Sequence, residues 1–282
     1  MTEPRHGSPA TDPAATERAT LLAAYDAQLR GVAEVQGAVS WDRSGPLWRA
    51  LFNDGAFVSY ESLEGLGSVE AVDQLIGDTV QYFAALPQVQ EFEWKTRGHD
   101  WPPELDGLLR AHGLEPDEVE TVMVGEARHL AVDVELPAGV TIRRVDRADD
   151  REAVITEASE VAASIFGDGP PGAEMLERLD RMEGREQFWV AEAETEHGRV
   201  VVCSGRISTV EGTEFAGIWG GSTLPEWRGK GIYRALTAAR ARAAVAEGVR
   251  YINSDCTAMS RPILERSGLV AVTTTTPYVW RR

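Results

Sequence analysis

Residues 225–236 read Pro-Glu-Trp-Arg-Gly-Lys-Gly-Ile-Tyr-Arg-Ala-Leu. An apolar, strand-like run ends at Pro225, a basic and glycine-rich turn follows, and a helix begins. Such a turn presents unpaired backbone N–H groups and the positive end of a helix dipole to one point in space. A point of that kind binds phosphate. Arg228, Lys230 and Arg234 add full positive charge beside it, in a chain whose formal net charge is −17.

Two common phosphate patterns fail here. In the Walker pattern G-x-x-x-x-G-K-S/T, Leu224 stands where the first glycine belongs and Gly231 follows Lys230. In the dinucleotide pattern G-x-G-x-x-G, Arg234 takes the place of the third glycine. What remains is Arg228-Gly-Lys-Gly231-Ile, directly after a strand and opening a helix. This resembles the pyrophosphate loop of the GNAT superfamily, the acyl-CoA-dependent N-acyltransferases, whose motif is Q/R-x-x-G-x-G/A. Tyr233 departs from the final Gly or Ala. A glycine turn that only caps a surface helix is the plainer alternative.

The elements that must position this loop follow from periodicity and turn signals. Val140–Val145 alternates as a strand. Helices are expected over 150–165 and 173–182, and strands over 187–196, 199–210 and 214–223, with His197 in a turn. A helix over 231–247 closes on Gly248, then come a strand over 249–255, a short helix over 259–267 and a strand over 269–280. The order β-α-α-β-β-β-α-β-α-β is the GNAT order, so the resemblance covers about residues 138–282.

The first half carries a helix over 21–35, strands near 39–41 and 55–60, a helix over 69–86, a strand over 91–95, a helix over 104–112 and a strand over 119–124. Leu109-Arg-Ala-His-Gly-Leu114 sits in the same relation to its strand as Leu264-Glu-Arg-Ser-Gly-Leu269. This half reads as a degenerate GNAT-like copy, with an unrelated α/β cap as the alternative. Its counterpart of the phosphate loop, Glu61-Ser-Leu-Glu-Gly-Leu-Gly67, carries acid and no base. The expected fold class is α/β (α+β): tandem GNAT-like domains, each a mixed, mainly antiparallel sheet flanked by helices. The expected divisions are a disordered tail over 1–18, a first domain over 19–130 and an acetyl-CoA-binding domain over 138–282.

The resemblance implies an N-acetyltransferase that moves an acetyl group from acetyl-CoA to a primary amine by direct attack. Backbone N–H groups from Gly229 to Arg234, Ile232 and Tyr233 among them, would cradle the pyrophosphate, with Arg228 and Lys230 beside it. Gly221, Ser222 and Thr223 would pair through their backbone with the pantetheine arm. An ammonium must lose a proton before it attacks. Glu214 and Asp255 are the candidate bases; each also reads as an ordinary strand-end or capping carboxylate. Relatives place a tyrosine in the last helix as acid for the departing thiolate, but Leu264 stands there, and Leu269 replaces the usual phenylalanine. Ser260 and Tyr278 are candidate replacements. Trp219 is a candidate wall of the acceptor pocket. His99 with Asp100 reads as a turn organiser. The rival reading is a non-catalytic acyl-CoA-binding or sensing protein.

Composition narrows the partners. The acidic balance argues against nucleic acid, and the resemblance implies a small-molecule amine or a protein amine as acceptor. No apolar run of membrane-spanning length occurs. Cys203 and Cys256 form no C-x-x-C pair, so no structural metal is expected, and free thiols fit a cytoplasmic protein. Exposed strand ends are compatible with a homodimer.

Overall fold

The computed structural model describes residues 12–52, 55–167, 169–196 and 198–282. In the first half, helix α1 (Pro13–Leu29) leads into strands β1 (Ser40–Ser44), β2 (Leu47–Leu51) and β3 (Ala56–Tyr60). Helix α2 (Val69–Ala84), strand β4 (Glu91–Arg97), helix α3 (Leu105–Ala111) and strands β5 (Leu114–Pro116) and β6 (Glu120–Glu126) complete it. A single-turn helix, α4 (Ala127–Leu130), follows, and 131–139 holds neither helix nor strand. The second half runs β7 (Val140–Arg144), α5 (Arg151–Phe166), α6 (Gly172–Arg181), β8 (Glu186–Thr195), β9 (Gly198–Thr209), β10 (Phe215–Thr223), α7 (Ile232–Ala246), β11 (Tyr251–Cys256), α8 (Arg261–Arg266) and β12 (Val270–Arg281).

Among the described residues all strands join one 12-stranded sheet in the order β1-β2-β3-β4-β12-β6-β11-β10-β9-β8-β7, with β5 beside β12. The pairing is antiparallel except at β3·β4 and β10·β11. Each half is a mixed, mainly antiparallel sheet flanked by helices, and the two halves repeat in tandem. The sheet nevertheless runs across the division between them. β6, from the first half, lies between β11 and β12 of the second. In return, residues 275–281 of β12 pair with β4, and 278–280 pair also with β5. Each half thus lends its last strand to the other.

Helix α1 seals this seam. Leu21, Tyr25 and Leu29 pack on Val122, Val124, Phe215, Tyr251 and Val272, drawn from four strands of both halves. The expected tail over 1–18 lies outside the described residues as far as Thr11. From Pro13 the chain is helical: Asp12 Oδ1 accepts from Ala14 N–H at 3.1 Å, and the Arg18 guanidinium reaches the Val272 carbonyl. Local capping and a long-range contact outweigh the polar composition there. His197 also lies outside the described residues. The helix expected over 21–35 ends at Leu29, where Gly31 at φ 68° turns the chain into a 3-10 turn.

The N-terminus of α2 is closed by its own sequence. Ser68 Oγ accepts from Ala71 N–H at 3.2 Å. With Glu61 and Glu64 in the preceding turn, this copy of the loop is capped and acidic, unlike its counterpart at α7.

Candidate functional site

The site begins at a break in β10. Trp219 pairs with Arg206 and Ser222 with Ser204, which leaves one extra residue on β10. Gly220 takes φ 60°, which a side chain would oppose, so the bulge is tied to glycine. Parallel pairing with β11 stops at Gly217 and Asn253. The last tie is Ser254 Oγ, which donates to the Ile218 carbonyl at 3.1 Å. Beyond it the two strands part and open a wedge in the sheet.

The loop after β10 lies beside that wedge. Pro225–Trp227 forms one 3-10 turn, and Gly229 and Gly231 follow at φ 74° and 78°. No side chain caps α7, whose first intrahelical donor is Ala235 N–H to the Gly231 carbonyl at 2.9 Å. The N–H groups before it are left without intrahelical acceptors, which is the arrangement that takes an anion. Arg228 Nε donates to the Thr223 carbonyl at 3.0 Å, tying loop to strand. Lys230 Nζ lies 4.4 Å from the Trp227 ring centroid. Arg234 is exposed and has no ion-pair partner among the described residues.

Beside these groups lies a cavity of about 540 Å³. Gly221, Thr223, Arg228, Gly229, Gly231, Ile232, Tyr233 and Arg234 all border it. Ser222 does not, since its hydroxyl is buried against Ser204 Oγ at 2.9 Å. Lys230 does not border it either. The far wall escaped sequence reasoning: Ile165 and Phe166 at the end of α5, Met259 and Ile263 around α8, and Arg266 and Ser267 at the end of α8. No motif marks these residues. Their only sequence signal is large apolar side chains flanking glycine breaks.

Tyr233 fixes the inner wall. Its ring lies so close over Gly221 that a Cβ there would stand 2.4 Å from Tyr233 Cε2. Behind it, Arg240 is fully buried, donating to the Arg206 carbonyl at 2.9 Å and to Thr237 Oγ1 at 3.1 Å. No carboxylate pairs with Arg240 among the described residues. A buried, uncompensated cation beside the groove raises the local potential for anions.

The expected catalytic residues scatter. Ser260 borders the cavity at the start of α8, and its side chain makes no capping bond. Glu214 precedes the opposite end of β10, where Gln28 Nε2 donates to it at 3.1 Å and Arg250 lies at 3.4 Å. Eight residues of extended chain to Ser222 amount to roughly 26 Å, so Glu214 is not at the cavity. Tyr278 lies in the part of β12 that enters the first half, and its hydroxyl donates to Asp106 at 2.6 Å. Burial and that bond push its phenol up to about 12. Leu264 is buried in the core, so no acid replaces the missing tyrosine at that position. Trp219 folds over Gly217 of its own strand and is not among the cavity-lining residues.

Asp255 is the penultimate residue of β11, beyond the point where pairing with β10 stops. Lys95 Nζ, from the first half, donates to its Oδ2 at 2.7 Å. Its Oδ1 is buried without a partner among the described residues. His99 meets Asp26 and Thr273, while Asp100 accepts from Arg30, Tyr60 and the Arg97 backbone, so that pair organises a turn. Burial lifts the Cys203 and Cys256 thiols to about 11, which leaves both inert as nucleophiles at neutral pH. Among the described residues, no cluster of side chains fit to hold a metal occurs and no helix is long and apolar enough to cross a membrane.

No family model and no curated protein matches the sequence. Solved structures do. A tandem GNAT protein from the clavulanic acid biosynthesis pathway, solved without AcCoA, superposes with a TM-score of 0.65 at 13% identity, over 95% of this chain and 94% of that one. A GCN5-related N-acetyltransferase from Kribbella flavida gives 0.55 at 18% identity, over 96% of each chain. Another from Sphaerobacter thermophilus gives 0.56 at 19%, over 84% of this chain and 76% of that one. At such identities the likeness speaks for architecture, and the architecture is the tandem GNAT fold.

Proposed function

We propose that the chain is an N-acetyltransferase that binds acetyl-CoA in its second half and acetylates a primary amine of a small molecule or protein in the cytoplasm. The observation that carries this reading is the uncapped N-terminus of α7, opened by two left-handed glycines into the 540 Å³ cavity beside the parted strands. Unsatisfied N–H donors and the bordering cations Arg228 and Arg234 suit a pyrophosphate, and the backbone of 221–223 leads from there to the bulge. Acetyl-CoA would supply the thioester. Arg228, Arg234 and the loop backbone would hold its phosphates, with Lys230 adding charge nearby, Tyr233 would wall the arm, and the wedge would admit the amine. Asp255 is the remaining candidate to take the amine's proton. The inert thiols favour direct attack over an acyl-cysteine.

Thermal unfolding with acetyl-CoA, CoA and ATP tests the cofactor site, because a ligand that binds only the folded state raises Tm. Acetyl-CoA and CoA should raise it, and Gly231→Asp should abolish the rise by placing a carboxylate at the anion site. No shift with either CoA species sinks the proposal. Leu264 in place of a tyrosine favours the second reading, a non-catalytic acyl-CoA-binding protein. Thiol release from acetyl-CoA with a panel of amines separates the two.

A further inference from the structure

Two buried acceptor atoms at the mouth of the wedge lack donors. Asn253 is 5% exposed and its Oδ1 has no partner. The Asp255 side chain is 7% exposed, and its Oδ1 is likewise alone. The two residues stand at i and i+2 on β11, so both side chains leave the same face, roughly 7 Å apart. They lie where β11 loses its partner β10. Buried polar atoms are almost always bonded, so adjacent orphan acceptors call for a donor that no described residue supplies.

The first half surrounds them with excess negative charge. Lys95 bridges Asp255 at 2.7 Å and Glu34 at 3.4 Å, and Arg97 Nη2 meets Glu34 at 2.6 Å. Glu93 and Glu120 are half-buried and lack ion-pair partners among the described residues. Burial holds both above the usual carboxylate range, and each feels Lys95. Four carboxylates thus face two cations. Glu34 and Glu93 also border a cavity of about 350 Å³, together with Phe52, Phe57, Val279 and Glu91, the last paired with Arg281 at 3.2 Å.

We propose that these groups recognise the acceptor as a diamine or polyamine. Its reacting amine donates N–H to Asn253 Oδ1 and Asp255 Oδ1, and a second ammonium sits beside Glu93, with Glu34 next to it. The assignment rests on the acyltransferase reading and adds the substrate class and a binding role for the first half. The orphan oxygens demand N–H donors, and the unpaired carboxylate of Glu93 takes a further cation that a monoamine lacks.

Titration calorimetry of the full chain with 1,4-diaminobutane, n-butylamine and tetramethylammonium, at constant ionic strength, tests this. The diamine should bind about ten-fold more tightly than the monoamine, the worth of one half-buried ion pair. Tetramethylammonium, which has no N–H, should not bind. Glu93→Gln should bring the diamine down to the monoamine level, and Asp255→Asn should weaken both. Should Asp255→Asn fail to fold, Asn253→Ser carries the same test. Equal affinity for diamine and monoamine, or binding of tetramethylammonium, means that the oxygens hold only water and overturns the assignment. An acetyl-CoA shift without diamine preference removes this inference alone. Diamine preference without an acetyl-CoA shift leaves the amine site and removes the acyltransferase reading.

Discussion

Gly221 and Tyr233 form a pair in which neither residue is free to change alone. A Cβ at 221 would stand 2.4 Å from the tyrosine ring. Gly221→Ala should therefore cost about 1–3 kcal/mol in urea unfolding, the usual range for overpacking. Adding Tyr233→Ala should recover part of that loss, and strict additivity would show that the ring does not press on the strand. Glu34 invites a pH experiment. Burial raises its pKa, but Arg97 and Lys95 pull it below the ordinary 4.5. A depressed carboxylate stabilises the fold above its unfolded value and loses that contribution as pH falls through the folded one. Glu34→Gln should thus cost about 3 kcal/mol near pH 7. The gap to wild type should close on acidification, whereas a gap unchanged from pH 7 to 3 would assign the loss to packing. Residue chemistry was legible where it is contiguous: Arg228 to Arg234 read as an anion loop because donor, charge and turn share one segment. The bond from Lys95 to Asp255 spans 160 positions and no local signal announces it.

At the level of elements, periodicity was a good guide in the second half. The helix expected over 231–247 spans Ile232–Ala246, and the strand expected over 214–223 spans Phe215–Thr223. β2 was not foreseen, since Leu47–Leu51 is short and follows Gly45-Pro46, which reads as a turn. Strand partners were beyond reach altogether. The alternation of β12 buries one face equally well against either half, so the pattern is silent on which neighbours it meets. The exchange predicts a polar outcome for truncation. A chain ending at Thr274 keeps all but the last residue of the part of β12 that pairs with β6 but loses the part that pairs with β4 and β5. Limited proteolysis should then cut first within the initial 126 residues, where Phe92 loses its stack on Trp280. Cleavage that starts instead around β8 and β9 would mean that the borrowed strand matters little.

For the whole molecule, the shared sheet and the seam under α1 make two similar halves one unit. Thermal unfolding should show a single transition, and two separated transitions would mean that the halves fold independently. The same wiring has a consequence for biosynthesis. The first half cannot close its sheet from its own residues, because the strand between β4 and β5 is encoded at 275–281. About 150 residues must still be translated after β6, which takes roughly 8–30 s at ordinary ribosomal speeds. During that interval β4 and β5 present open edges beside the nascent chain, and β6 awaits β11. A cell making this protein must keep an unfinished sheet from pairing with its neighbours on the same messenger, so expression yield should depend on chaperone supply during elongation more than on the stability of the finished fold.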